Sequence, residues 1–224
     1  MGFRRGGMGI IDNIEWEVKK PPYTIDDVWL KELQEMRGKA LYQKGLRPFF
    51  KIADNIYNDC DGFDSISYHI LAKYNKQIVG CVRILILDQT LNCVSAKIVN
   101  AHTSFSSIIN ELFADKKLAE ISRLVISSNF SSLTLHFSLM AASVLLTLKF
   151  NALVILNAAK AASYYSRNAG AQLFPRHAGP YKSDMYNADI NLFFLDQNKF
   201  SNKFISEIKR METLLEKEII SKNI

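Results

Sequence analysis

The chain is expected to fold as one mixed α/β domain of the α+β kind. Three observations predict this. Alternating runs at 67–74 and 77–87 flank Asn75 and Lys76 and read as an antiparallel hairpin. From residue 118 onward, buried strands alternate with helical segments, the pattern of strand-helix layering. The 224 residues, 48% of them hydrophobic, suffice for one substantial core.

Taken in order, residues 1–13 are glycine-rich and are expected to be mobile. Alternation over 14–18 predicts a first strand, ended by Pro21 and Pro22. Asp26 or Asp27 is placed to cap a helix from Val28 to about Gly45, with Trp29, Leu33, Met36 and Leu41 as its apolar stripe. Arg37 lies within that helix and reads, on the residues alone, as a solvated charge. A shorter helix is expected after Pro48. Asp59, Asp61 and Asp64 surround Gly62 and read as a turn, without the ligand order of a calcium loop. In the second hairpin strand Gly80 predicts a bulge or a close backbone approach, and Arg83 sits among apolar neighbours. The stretch 88–117 reads as an irregular insertion holding one short helix at 106–113.

Residues 118–126 form a buried strand carrying two charges, Glu120 and Arg123. Desolvating them is expensive unless they pair or meet a polar ligand. Residues three apart on a strand face opposite sides, so the two diverge unless the strand bulges or splays. The apolar run 133–150 has nearly the length of a membrane span. His136, Ser138, Ser143 and Thr147 interrupt it, which predicts a buried central helix capped by Ser131 or Ser132. A short strand at 152–156, a helix at 158–169 and a last strand at 189–195 follow. The domain thus spans 14–197. Residues 198–224 form an amphipathic helix with Phe204, Ile208, Met211, Leu215 and Ile219 on one face, suited to packing on the body or on a partner subunit.

The formal charge of +6 is spread along the chain rather than gathered in a stripe. With no helix-turn-helix, zinc-finger or RNP pattern, nucleic acid is not expected, whereas an acidic protein partner suits the charge. Three cysteines, Cys60, Cys81 and Cys93, without metal spacing predict a reduced, cytoplasmic chain. The four histidines are scattered, and no metal is expected. No apolar leader follows Arg4 and Arg5, and no secretory signal or transmembrane segment is expected.

This order of elements resembles the GNAT-type N-acyltransferase fold, a central mixed sheet with a V-shaped splay flanked by helices, here with the amphipathic helix added. Four motifs are similar to those of the acyl-homoserine-lactone (autoinducer) synthases and the related N-acyl amino acid synthases. They are Arg37 in the early helix, the acidic pair Asp61 and Asp64, Arg83 after Gly80, and Glu120, Ser122 and Arg123 on one strand. Residues 157–170 resemble the late GNAT motif whose tyrosine faces the donor sulfur, which points to Tyr165, with Tyr164 second.

The resemblance implies transfer of a fatty acyl group from acyl carrier protein or acyl-CoA to a small amine. An amino acid stands slightly ahead of S-adenosylmethionine, the acceptor of autoinducer synthesis in quorum sensing. It implies catalytic roles for Glu120 as base and Tyr165 as acid. Substrate contacts are implied for Arg37, Asp61, Asp64, Arg83, Ser122 and Arg123. It implies no tightly bound cofactor, and acidic acyl carrier protein as a partner; it also admits a homodimer.

The chain departs from the family in three places. Residues 127–132 carry no glycine where GNAT enzymes hold the CoA pyrophosphate, which keeps a non-catalytic acyl- or protein-binding module as the alternative. Leu41 and Arg47 stand near the places where lactone synthases carry aromatics, which favours another acceptor. The insertion 88–117 is poorly matched to the family.

Overall fold

The computed structural model describes residues 13–24, 26–45, 47–113, 116–130, 132–158, 162–177, 179–184 and 188–224. Among them run β1 (Glu15–Lys19), α1 (Val28–Gln43), β2 (Lys51–Ala53), β3 (Ile56–Tyr57), β4 (Tyr68–Tyr74) and β5 (Gln77–Ile86). Next come α2 (Val94–Val99), α3 (Phe105–Phe113), β6 (Leu118–Ile126), α4 (Leu133–Lys149) and β7 (Leu153–Ala158). The chain ends with α5 (Ala162–Ala169), β8 (Gly170–Leu173), β9 (Tyr181–Ser183), β10 (Ala188–Phe200) and α6 (Asn202–Ser221).

The expected hairpin joins β4 to β5. Asn75 and Lys76 both take left-handed backbone, with φ of 49° and 64°, as a two-residue turn between twisted strands requires. Gly80 meets both halves of its expectation. Ala72 pairs with Gly80 and Lys73 with Ile78, so Val79 is an extra residue. A Cβ at Gly80 would stand 3.0 Å from Leu139 of α4, which crosses close beneath the strand.

The main sheet runs β1-β4-β5-β6-β7-β10-β8, with β9 also on β10. All its neighbours are antiparallel except β6 and β7, which run parallel. That parallel pair is short: Leu118, Ala119 and Glu120 face Leu153, Val154 and Ile155. Beyond this rung β6 continues to Ile126 on β5 and β7 to Ala158 on β10 without pairing to each other. The sheet therefore opens between β6 and β7, as the V-shaped splay implied by the resemblance would have it.

Helices α4 and α6 cover one face, packed on Ile70, Val82, Ile84, Ala119 and Ile121. On the other face α1 packs on Leu71, Cys81 and Val125, and α2 and α3 pack on Leu85, Leu118 and Ile155. Helix α4 is the buried central helix expected. The Ser132 hydroxyl accepts from Leu135 N at 3.2 Å, and Ser143 and Thr147 turn their hydroxyls back to carbonyls within the helix. No helix among the described residues is long and apolar enough to cross a membrane. The C-terminal helix packs on the body through Phe204, Met211, Leu215 and Ile219.

Some expectations are corrected. The insertion holds two helices, not one; α2 has six residues, and its start is anchored by a strand outside it. The segment after Pro48 is a single 3-10 turn leading into the β2–β3 ribbon. The short strands β8 and β9 were not foreseen. Asp27 stands at the start of α1, but its carboxylate accepts from Thr24 N and Oγ1 rather than from the helix. Residues 1–12, Ser131 and the Tyr164 side chain lie outside the described parts.

Gly38 on α1 lies against the chain leading to Asp59. A Cβ there would meet Asn58 N at 2.8 Å and Asn58 C at 3.0 Å, both backbone atoms. Gly to Ala inside a helix ordinarily stabilises by roughly 0.5–1 kcal/mol. Here the backbone overlap outweighs that gain, and Gly38→Ala is expected to destabilise by about 1–2 kcal/mol. Urea unfolding checks the sign through the midpoint.

Candidate active site

Three arginines and three aspartates close an alternating ring. Arg37 on α1 grips Asp64 through Nη1 at 2.9 Å and Nη2 at 2.7 Å. Its Nε lies 3.1 Å from Asp59, off-line for a hydrogen bond but close enough to pair the charges. Arg83 on β5 shares Asp64 at 3.0 Å and holds both oxygens of Asp61, Nη2 at 2.8 Å. Arg123 on β6 returns to Asp61 at 2.9 Å and Asp59 at 2.8 Å. Each arginine bridges two aspartates, each aspartate two arginines, and the formal charges cancel. Five of the six side chains are at most 4% exposed, and Asp61 is the open member at 13%.

The surroundings lock this ring. Gln34 donates to Asp64, Arg37 Nη2 donates to the Asp59 carbonyl, and Asp59 N donates to the Gln34 carbonyl. His69 Nε2 donates to the Asp64 carbonyl at 2.9 Å, leaving Nδ1 as the bare nitrogen of a neutral ring. Burial pushes the Asp64 carboxyl upward, but Arg37 and Arg83 outweigh it and hold it well below the usual carboxylate range. Asp61 follows the same balance, lowered by Arg83 and Arg123 against its burial. Burial and the Arg37 charge push His69 down to about 4. Arg37 is therefore not a solvated helix charge; it is fully buried. Sequence reasoning also left Asp59 in the turn, where no local signal sets it apart.

Strand alternation alone would send Glu120 and Arg123 to opposite faces. A bulge brings them together. Cys81 pairs with Val125 and Arg83 with Ser122, so Arg123 and Leu124 together oppose Val82, and Arg123 has φ 52°. Glu120, Ser122 and Arg123 then share the face under α1 and α2. Arg83 Nε donates to Ser122 Oγ at 3.1 Å.

Glu120 and Arg123 do not pair with each other. Glu120 is fully buried at the last rung before β6 and β7 part. Oε1 accepts from Ser95 N at 2.6 Å and Oε2 from Val94 N at 3.2 Å, the first turn of α2. Asn157 on β7 donates to Ser95 Oγ at 3.0 Å and reaches Oε1 at 3.5 Å. Among the described residues no cation pairs with Glu120. Burial and the Glu120 charge push the neighbouring Cys93 thiol up, so it stays protonated.

Tyr165 is not brought into this group. Its hydroxyl lies 3.1 Å from His136 Nε2 of α4, and the two rings stack at 5.9 Å. Burial and Lys44 hold His136 below its ordinary value. Tyr165 packs with the cluster around α4 while Glu120 faces α2, so they lie on opposite faces of the sheet. Before α4, Ser128 donates to Gln43 of α1 at 2.5 Å, and Ser132 caps the helix. No grouping of His, Cys, Asp and Glu suited to a metal ion occurs among the described residues.

Two predictions follow from the ring. Removing one partner of a buried ion pair leaves the other uncompensated, so Asp64→Asn is expected to cost about 3–5 kcal/mol in chemical unfolding. Acid is expected to destabilise the fold in two stages. His69 binds its proton near 6.5 when unfolded and near 4 when folded, so its contribution fades as pH falls between these values, by about 3 kcal/mol. Asp61 and Asp64, lowered from 3.8, contribute above that pH and lose their contribution below it. Melting temperature against pH reads both, and His69→Gln should flatten the upper stage alone.

A family model described as an acetyltransferase (GNAT) domain matches residues 51–140, a span that includes five of the six ring residues and Glu120. No match is found among curated protein sequences. Solved structures do match. A CoA-dependent acyl-homoserine lactone synthase, BjaI, with SAM and isopentyl-CoA, aligns over 89% of this chain and 88% of its own, at 14% identity and TM-score 0.61. TofI, in a ternary complex with an inhibitor and MTA, aligns over 87% and 96% at 13% identity and TM-score 0.60. FeeM, an N-acyl amino acid synthase from uncultured soil microbes, aligns over 89% and 98% at 9% identity and TM-score 0.57. The domain match over residues 51–140 and the course of the sheet through its parallel fork show that the chain has the fold of the GNAT N-acyltransferases.

Proposed function

We propose that the chain is an N-acyltransferase moving a fatty acyl group from a thioester, on acyl carrier protein or coenzyme A, to the amine of a small acceptor. The observation that carries this reading is the setting of Glu120. The other buried carboxylates, Asp59 and Asp64, are each bound by arginine. Glu120 is held by backbone N–H groups, an amide and the Cys93 thiol, with no cation on it among the described residues, at the point where the sheet opens. A buried anion without a counter-ion is a place prepared for a cation. The ammonium group of an acceptor supplies one.

In this reading the acceptor hands a proton to Glu120, directly or through one water. The freed nitrogen attacks the thioester carbon lying in the fork; the C–N bond forms and the C–S bond breaks. Backbone N–H groups of β6 beyond the fork meet the oxyanion. As the C–S bond breaks, Tyr165, which His136 accompanies, gives its proton to the thiolate and recovers one from the second proton that the new amide nitrogen sheds, passed on through water. Asp61, the open member of the ring, offers the acceptor a second anionic edge with Asp64 behind it. Ser122 Oγ accepts from Arg83 and so presents its own hydrogen outward. Arg37, Arg83 and Arg123 act through the aspartates they hold.

An amino acid is favoured over S-adenosylmethionine as acceptor, because Leu41 and Arg47 replace the aromatics that the lactone synthases carry. The basic excess of +6 suits acidic acyl carrier protein as donor. The three free cysteines suit a reducing cytoplasm.

Lipid extracts of cells expressing the chain, analysed by mass spectrometry beside Glu120→Gln, test the proposal. The wild type is expected to yield an N-acyl amino acid that falls roughly 100-fold or more in the variant, the scale of a lost general base. Equal product from both sinks the role of Glu120. No new acyl amide or lactone from folded wild-type protein sinks the reaction.

A further inference from the structure

The bulge in β6 occupies an unusual residue. Where two residues oppose one and the first is left-handed, that position is ordinarily glycine, because a side chain there crowds its own backbone. Here it is Arg123, at φ 52°. The apolar register explains why an extra residue exists: Ala119 and Ile121 pack towards α4, and so do Leu124 and Ile126, which leaves a break between them. It does not explain why arginine takes the left-handed position.

The ring does explain it. We propose that Arg123 is a positioning residue: its guanidinium, fastened to Asp59 and Asp61, holds position 123 left-handed and thereby sets the course of β6 beyond the fork. Both anchors are themselves immobile. Asp59 is tied through its own N–H and carbonyl to Gln34 and Arg37. Asp61 is held by Arg83 through both oxygens. In a regular strand the side chain at 123 would turn to the opposite face, into the apolar cluster under α4, and lose both carboxylates. The anchor and the buried alternative push the same way. The backbone so placed lies three residues past Glu120, on the stretch of β6 that lacks a β7 partner. Arg123 is thus coupled to the reacting region without itself touching substrate.

The inference rests on the N-acyltransferase reading for its catalytic consequence only; its backbone consequence stands alone. Arg123→Ala and Arg123→Gly lose the same ion pairs, but only glycine accepts left-handed backbone freely. Crystal structures of both are expected to show φ turning negative at position 123 in the alanine variant and staying positive in the glycine variant. Positive φ retained in the alanine variant overturns the proposal, since the strand would then hold its bulge without the anchor. If the single variants fail to fold, Asp59→Asn/Arg123→Ala against Asp59→Asn/Arg123→Gly asks the same question with the ring charge kept balanced.

In turnover of the N-acyl product, kcat of the glycine variant is expected to exceed that of the alanine variant at least about fivefold, with little change in donor KM. Equal kcat values overturn the coupling to the reaction. If the wild type forms no N-acyl product, the acyltransferase reading falls, while the two structures still decide the anchor.

Discussion

Six charges withdrawn from water are the constraint on which the rest of this molecule depends. An isolated Arg–Asp pair in such a place would recover little of its lost hydration. Closed alternation changes that balance, because every guanidinium has a carboxylate on either side and no member faces the interior alone. The condition is geometric. It needs α1, the 59–64 turn, β5 and β6 to arrive together, and Arg123 reaches Asp59 across 64 residues of sequence. The N-terminal half of the domain is therefore assembled around a polar centre, while α4 and α6 build an ordinary apolar core on the other face.

The two sides of β6 treat carboxylates differently. The three aspartates are neutralised by fixed cations, which hold the Asp61 and Asp64 carboxyls below the usual carboxylate range. Glu120 is solvated by dipoles: two N–H groups at the start of α2 and the amide of Asn157. Dipoles tolerate a change of charge at the carboxylate better than a guanidinium does, since no partner is stranded when the proton arrives. The contrast supports the proposed division of labour, in which Glu120 takes the proton and the arginines of the ring serve as scaffold.

Much of this was legible in the chain. The hairpin, the buried α4 and the terminal helix follow from periodicity and turn chemistry, which are local. The ring members Arg37, Asp61, Asp64, Arg83 and Arg123 stand out as charges in apolar segments. What could not be read was non-local. Helix α2 begins with β-branched and small residues and shows no local signal of its own strength; a glutamate from another strand anchors it. Asp59 looks like any turn aspartate until the ring closes on it. The shared face of Glu120 and Arg123 depends on one backbone angle, which strand alternation does not reveal. Tyr165 was read as a partner of the same centre, yet it lies across the sheet beside His136.

Helix α6 also has a bearing on how the sheet ends. Strand β1 is the outer strand of the sheet, with backbone groups facing away from β4. Glu218 near the end of α6 accepts from Val18 N at 3.3 Å, and Lys20 reaches the carbonyls of Lys222 and Asn223. Strand β1 is thus closed off by the last turn of α6. Without that turn the strand presents an open edge to any neighbouring strand. A variant cut back before Glu218 would keep its ring and its fork but leave this edge uncovered, so the turn guards the sheet against edge-to-edge association.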